Sequence, residues 1–183
     1  MNKRSIVIRN IFCLVIVAAL VALDQLTKAA VVANLKGKAD FAIIKGVLEL
    51  QYAENRGAAF GIFQNRQLPI TILSLLIAGG LLFLFETTPY KKRMRPALVC
   101  YALIMAGAIG NMIDRIKQSY VVDFIYFKII NFPNFNVADI CVTCGCAVLI
   151  VLFMFYYKED DELTVFSKKK AEATVKDTDK EES

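Results

Sequence analysis

Four aspartates stand at or near the ends of long apolar segments, where an ionised side chain is energetically costly. They are Asp24, Asp114, Asp123 and Asp139. An acid beside lipid usually has a partner or a task, so each is a candidate for chemistry. Lys28 follows Asp24 by four residues, which places both on one face of a helix. Arg115 is the neighbour of Asp114. These pairings predict structural roles for Asp24 and Asp114.

Asp123 and Asp139 have no adjacent counter-charge. Asp123 lies in the apolar stretch 121–125, which favours the protonated acid. Asp139 lies in the first turn of a predicted helix, where the helix dipole favours the carboxylate. If the fold brings them together, the two acids would share one proton. That arrangement suits an aspartic peptidase, in which one carboxylate takes a proton from water while the other donates to the scissile carbonyl.

Two simpler interpretations of these acids stay open at this point. Asn136 followed by Asp139 is also typical of a helix start, with Asn as the N-cap and an acid three residues later. Asp123 could be a strand residue that points to water.

Residue types that the chain lacks exclude several other hydrolase classes. There is no histidine, so neither a Ser-His or Cys-His nucleophile pair nor a two-His zinc helix can form. Ser119 with Lys117 is the one Ser-Lys candidate near the acids, and no neighbouring element supports it.

Three of the five cysteines lie in an apolar segment, where cysteine behaves as a small hydrophobe. We therefore predict no metal site.

The elements that position these acids are predicted to be membrane-spanning helices. The chain is 57% hydrophobic and 21% charged, and the charges are gathered between apolar runs. Uncharged runs at 68–85, 96–113 and 140–157 are long enough to cross about 30 Å of hydrocarbon at about 1.5 Å per residue. A run at 10–23 is long enough if its helix continues past Asp24. A cleaved signal peptide is less favoured there, because no small-residue cleavage site precedes a soluble domain.

These runs predict an all-α membrane protein of one domain, 1–157, with a small β element. The expected spans are about 8–28, 68–86, 96–113 and 138–157. The charged segment 158–183 is predicted to be a disordered cytoplasmic tail. Apolar residues alternate around Lys45 and Gly46, which predicts a β-hairpin, and residues 121–125 predict a further short strand.

The basic residues predict the orientation of the spans. Lysine and arginine favour the cytoplasmic side, and they are dense in the short segment 86–95. We therefore expect both termini in the cytoplasm and the polar helix ends together at the outer surface. Four groups would meet there: Asp24 with Lys28, Asn55 with Arg56 and Gly57, Asn111 with Asp114 and Arg115, and Asn136 with Asp139.

Five ordered blocks resemble the lipoprotein signal peptidase (signal peptidase II) family, a family of bacterial membrane aspartic peptidases. The blocks are 24–28, 55–61, 107–115, 121–125 and 135–139. Each block alone is weakly specific, but five in order between four spans are highly specific. Two departures stand out: Ala106-Gly107 replaces a common Gly-Gly, and no Trp precedes the last block.

The resemblance implies cleavage of a prolipoprotein just before a cysteine that carries diacylglycerol, in the bacterial inner membrane. The implied catalytic pair is Asp123 and Asp139. The implied substrate-binding residues are Asn55, Gly57, Asn111, Arg115 and Asn136. The implied supporting residues are Asp24, Lys28, Gly107, Gly110, Asp114 and Ala138. No cofactor and no nucleic-acid partner are implied; membrane lipid is an expected partner, and we expect a monomer with its site at the periplasmic face.

Two competing functions remain at this point. A small proton-coupled transporter would also place carboxylates in membrane spans, although these acids cluster at one surface and the two halves of the chain show no repeat. A non-catalytic membrane scaffold would tolerate Asp123→Asn.

Overall fold

The computed structural model describes residues 3–57 and 67–157 of the 183-residue chain. Four helices dominate this part: α1 (Lys3–Leu35), α2 (Gln67–Thr87), α3 (Arg95–Gln118) and α4 (Val137–Val151), the last continuing as a π-helical turn, Leu152–Tyr156. All four are long and apolar enough to cross a membrane. The predicted four-span architecture is confirmed, whereas the predicted tail, 158–183, lies outside the described residues.

Helix α3 is the central helix of the bundle. In an apolar 18-residue stretch of α3, 56% of the residues are buried inside the protein. The corresponding share is 11% in α1 and α2 and 17% in α4. Small residues allow the close packing. A side chain on Gly145 of α4 would lie 2.7 Å from the Ile104 side chain. The other three helices direct large apolar side chains outward, as expected for a protein whose solvent is lipid.

Helices α1 and α3 both extend beyond the spans expected from hydropathy. Helix α1 reaches Leu35, and α3 reaches Gln118 before Ser119 ends it in a left-handed conformation (φ 61°). An α-helix satisfies its own backbone hydrogen bonds and can continue past the lipid boundary wherever side chains find partners. Asp114 in the extension of α3 finds such a partner, in the network described below.

A three-stranded antiparallel sheet covers one end of the bundle. It contains β1 (Phe41–Ile44), β2 (Leu48–Asn55) and β3 (Val121–Phe127), in the order β1-β2-β3. The predicted hairpin is confirmed, and its turn contains Gly46 at φ 76°. The predicted short strand is β3, which pairs with β2 and places Ala53 opposite Asp123. On the other side of β3, Val122 and Phe124 pack against Val31 of α1.

Candidate active site

The side chains of Asp123 and Asp139 meet at the sheet-covered end of the bundle. Asp123 lies on β3, and Asp139 lies in the first turn of α4. Three asparagines surround them: Asn55 at the end of β2, Asn111 on α3, and Asn136 at the N-cap of α4. Residues separated by up to 84 positions thus form one hydrogen-bonded cluster.

Asp123 is almost completely buried, with 2% of its surface exposed. Its Oδ1 accepts a hydrogen bond from Asn136 Nδ2 at 2.6 Å, and its Oδ2 accepts one from Asn55 Nδ2 at 2.9 Å. Burial raises the pKa of Asp123 to about 7; the nearby Asp139 adds to the increase, and the two amide donors oppose it. The prediction of a protonated acid here is supported, and the alternative of a side chain pointing to water is wrong.

Both carboxylate oxygens of Asp139 accept hydrogen bonds. Oδ1 accepts a hydrogen bond from Asn111 Nδ2 at 2.8 Å, and Oδ2 accepts one from the backbone N–H of Asn136 at 3.1 Å. Asn136 Oδ1 in turn accepts from the backbone N–H of Asp139 at 3.0 Å, which completes a capping box. The capping interpretation is therefore confirmed. It does not compete with a role in the site, because Asp139 uses only one oxygen for the cap.

Asn136 connects the two acids directly. It donates its side-chain amide to Asp123 and its backbone N–H to Asp139. The same amide donates to Asn111 Oδ1 at 3.1 Å. Asn136 has no exposed surface, so these contacts form in an environment where an unpaired polar group would be costly. One residue thereby determines the relative position of both carboxylates.

Lys28 determines the orientation of the Asn111 amide. Its Nζ donates to Asn111 Oδ1 at 3.0 Å. Because an ammonium group can only donate, the oxygen of Asn111 must face Lys28, and its NH₂ then points to Asp139. Lys28 also forms ion pairs with Asp24 at 2.9 Å and with Asp114 at 3.0 Å. All three ion-paired residues are buried.

The pairing predicted for Asp24 is confirmed, and that suggested for Asp114 is wrong. Asp114 pairs with Lys28 rather than with its neighbour Arg115, because consecutive residues on a helix point in different directions. Both acids also accept a hydrogen bond from a backbone group beside the site, Asp24 with its second oxygen and Asp114 with the oxygen that pairs with Lys28. Asp24 Oδ1 accepts from the N–H of Ala138 at 3.0 Å, and Asp114 Oδ2 accepts from the N–H of Val122 at 3.2 Å. The buried ion pairs therefore hold the residues adjacent to both candidate catalytic acids.

Small residues allow α3 to approach these groups closely. A side chain at Gly110 would lie 2.7 Å from Asp24 Oδ2, and one at Gly107 would overlap the carbonyl oxygen of Ala138 and lie 2.6 Å from Val142. Real Cβ atoms do not approach other atoms so closely. Gly107 and Gly110 thus bring α3 against α1 and the start of α4, and Ala138 is itself buried at this contact.

A cleft of about 1410 Å³ opens beside the two acids. Asp123, Asp139 and all but one of the residues predicted to bind substrate line it; Asn136, the exception, lies beneath it. The lining also includes Arg115, whose Nε is buried with no hydrogen-bond partner among the described residues. Gly57 donates its N–H to Asn55 Oδ1 at 3.0 Å. Residues 58–61 of the second block lie outside the part that the structure describes.

Comparison with known proteins identifies the family. A family model described as signal peptidase (SPase) II matches residues 16–155. A lipoprotein signal peptidase of Clostridium tetani is 41% identical over 162 residues, covering 84% of this chain and 99% of its own. One from Symbiobacterium thermophilum is 44% identical over 141 residues, covering 74% and 91%. The chain belongs to the signal peptidase II family.

Solved structures agree with this family assignment. A bacterial membrane enzyme determined by the in meso method at 1.9 Å resolution is 30% identical, with a TM-score of 0.69, covering 80% of this chain and 94% of its own. Another, at 2.3 Å resolution, has a TM-score of 0.68 at the same identity, covering 78% and 87%. The protein is thus a multi-pass bacterial membrane peptidase, and the comparisons do not favour the transporter alternative.

One member of the network was not predicted from the sequence. Gln25 donates its Nε2 hydrogens toward three acceptors: Asp114 Oδ1 at 2.9 Å, Asp24 Oδ2 at 3.2 Å and the carbonyl of Gly110 at 3.2 Å. The available signal was a polar amide inside an otherwise apolar helix, directly beside a buried acid.

No metal-binding cluster is found in residues 3–57 and 67–157, where no three His, Cys, Asp or Glu side chains are grouped suitably. The acids of this signal peptidase instead have amide, ammonium and backbone donors on their oxygen atoms.

Proposed function

We propose that this protein is an aspartic endopeptidase in which Asp123 and Asp139 activate the hydrolytic water. As a member of the signal peptidase II family, it removes signal peptides from prolipoproteins. One observation carries the catalytic assignment: the buried Asp123 and the partly buried Asp139, joined through Asn136, open into the same cleft. Their separate hydrogen-bond sets place them in unlike environments, which is what an acid and a base at one site require.

In the proposed reaction, Asp123 is the acid and Asp139 the base. Asp123 keeps its proton near neutral pH because burial raises its pKa to about 7. Asp139 accepts hydrogen bonds from Asn111 and from a backbone N–H at the start of α4, and both stabilise its ionised form. Water attacks the scissile carbonyl carbon, its proton passes to Asp139, and the proton of Asp123 passes to the carbonyl oxygen. Collapse of the tetrahedral diol returns a proton to Asp123 and delivers one from Asp139 to the leaving amine.

The cleft suits an extended peptide with a lipid attached. Asn55, Gly57 and Arg115 contribute polar groups to its lining, and the Nε of Arg115, which has no hydrogen-bond partner among the described residues, can donate to a peptide carbonyl of the substrate. The wall between α3 and α4 is apolar and includes Ile104, which suits acyl chains that reach in from the membrane. We assign the bond cleaved as the one before the diacylglyceryl cysteine.

The proposed orientation places both termini in the cytoplasm and the site at the outer face. The basic segment before α3 lies at the opposite end of the bundle from the aspartates, and basic residues favour the cytoplasmic side. A monomer suffices for this chemistry, since all the residues of the proposed mechanism come from one chain.

A gel-shift assay with purified enzyme and a diacylated precursor tests the assignment. Asp123→Asn and Asp139→Asn are each expected to reduce cleavage by at least about 10³-fold, because Asn retains the shape but cannot exchange the proton. Asp40→Asn is the matched control, since Asp40 is an exposed acid just before β1, outside the cleft, and its loss should change the rate less than about twofold. Full cleavage by both site variants would end the aspartic assignment.

A further inference from the structure

We propose that the protein binds an anionic phospholipid in a second cavity, between α1 and α3 at the end of the bundle opposite the aspartates. This cavity measures about 230 Å³. Along α1 it begins at Arg9, fifteen residues and therefore about 22 Å from Asp24 of the catalytic network. It shares no lining residue with the active-site cleft. The cavity is thus a separate site.

The cavity changes from polar to apolar along its length. Arg9 and Arg95 lie at one end, and Ile16 of α1 and Ala102 of α3 lie at the other. Because α1 and α3 run in the same direction, the seven residues from Arg95 to Ala102 extend about 10 Å along the groove. A phospholipid has the same arrangement, with a charged phosphate followed by acyl chains. The apolar part is accessible from the membrane, since Phe12 at its edge is 56% exposed.

The two arginines of this groove have different tasks. Arg9 is buried and its donors are used: they bind Asn10 Oδ1, the carbonyl oxygens of Glu86 and Thr88, and the Glu86 carboxylate. Its charge is therefore already neutralised, and it shapes the groove without being available to a ligand. The remaining cation is Arg95.

Arg95 is positioned to bind a phosphate. It is exposed, its guanidinium lies 5.1 Å from the centre of the Tyr90 ring, and it has no ion pair with any residue of the described ranges. The aromatic ring holds the side chain at the mouth of the groove while leaving its planar donors accessible. Such a donor fork matches two phosphate oxygens. The N-terminus of α3, where Arg95 lies, adds a favourable dipole for an anion.

The charge around the mouth favours an anionic lipid over a zwitterionic one. Besides Arg95, the segment leading into α3 contributes Lys92, whereas Glu86 at the end of α2 is paired with Arg9. Basic pockets between spans on the cytoplasmic side are known to select acidic headgroups. In the orientation proposed above, this groove faces the cytoplasmic leaflet.

Native mass spectrometry of the full-length protein, titrated with phosphatidylglycerol or phosphatidylcholine, tests the inference. We expect one phosphatidylglycerol to bind at least tenfold more tightly than phosphatidylcholine. Arg95→Gln should remove most of that preference. Val99→Phe, which adds bulk one helical turn into the groove from Arg95 at an exposed position, should weaken both lipids. Lys92→Gln is the matched control, because it removes the same charge from the same segment but lies outside the groove, and it should change binding less than twofold.

Two results would overturn the proposal. Equal losses from Arg95→Gln and Lys92→Gln, with Val99→Phe unchanged, would show diffuse attraction to a basic surface instead of a site. Competition by glycerol phosphate or inorganic phosphate at the concentrations effective for the lipid would show that the acyl chains contribute nothing. Thermal unfolding of each variant without added lipid reports on its folding. If the Tm is unchanged, a loss of lipid binding results from the change in the groove and not from misfolding.

Discussion

Among the residues that the structure describes, one cation is buried at each end of the helical bundle, and the two cations have different partners. At the sheet-covered end, Lys28 lies between Asp24 and Asp114, and all three side chains are at most 6% exposed. At the other end, Arg9 is 2% exposed but its partner, the Glu86 side chain, is 44% exposed. Solvent can therefore compensate for a change in the second pair and cannot reach the first.

The two buried cations connect different parts of the structure. The Lys28 cluster contacts α1, α3, β3 and α4, and through Asn111 it orients a candidate catalytic carboxylate. Arg9 joins α1 only to the end of α2. A preorganised site needs its supporting charges excluded from water, because bulk solvent would weaken every hydrogen bond that defines the geometry. A joint between two helices has no such requirement.

Removing the cation from each end should give the largest contrast. Lys28→Met leaves two carboxylates buried without compensation, so we expect a loss of about 3–5 kcal/mol of folding free energy and loss of peptidase activity. Arg9→Met leaves a half-exposed Glu86 that water can solvate, so its cost should be clearly smaller. Thermal unfolding in detergent measures both. Adding Asp114→Asn to Lys28→Met should recover part of the Tm, and equal losses from the two single variants would contradict the comparison.

Glycine substitutions should separate the close-packed end from the open face of α2. Gly110→Ala forces a methyl group to within 2.7 Å of Asp24 Oδ2 and should cost about 1–3 kcal/mol, with a matching fall in activity. At Gly79 of α2 no atom lies within 4 Å of an added methyl group, so Gly79→Ala should be neutral or stabilising by about 0.5–1 kcal/mol. Unfolding curves of the two variants provide the test. If Gly79→Ala destabilised the protein as much as Gly110→Ala, close packing against Asp24 could not explain the cost at Gly110.

The pH dependence of cleavage should reflect the buried acid of the active site. The pKa of Asp123 is raised from 3.8 to about 7, so it is protonated below that pH and ionised above it. Since the proposed mechanism needs the proton of Asp123, kcat/KM should fall about tenfold per pH unit above pH 7, and the apparent value belongs to the coupled pair. Rates measured between pH 5 and 9 in one detergent provide the test. A constant rate from pH 7 to 9 would exclude Asp123 as the acid.

A metal chelator should have the smallest effect. The acids of the site are occupied by ammonium, amide and backbone donors, and the described residues contain no suitable ligand cluster. Dialysis against EDTA, followed by the same cleavage assay, should therefore leave the rate within about 20% of the untreated enzyme. Strong inhibition that zinc reverses would contradict this prediction.

Local sequence patterns predicted the elements and one part of the candidate site. Uncharged runs predicted four helices because lipid admits few charges, and alternation around Lys45-Gly46 predicted the hairpin. The i, i+4 spacing of Asp24 and Lys28 predicted their ion pair, and the spacing of Asn136 and Asp139 predicted the cap. The ion pair and the cap each join residues about one helical turn apart, where the geometry of the backbone determines the contact.

Contacts between distant elements were decided only by the tertiary structure. Asp114 pairs with Lys28, 86 positions away, rather than with adjacent Arg115, and Gln25 bridges two helices; neither pattern is present in local sequence. Hydropathy also underestimated α3, because Asp114, just past its expected end, is neutralised by Lys28, a partner that only folding supplies. It underestimated α1 as well, which continues to Leu35 through a stretch without charged residues. The sequence alone determined which side chains could do acid–base chemistry. Packing decided which of them share one buried site, because burial and pairing depend on neighbours that are far apart in the chain.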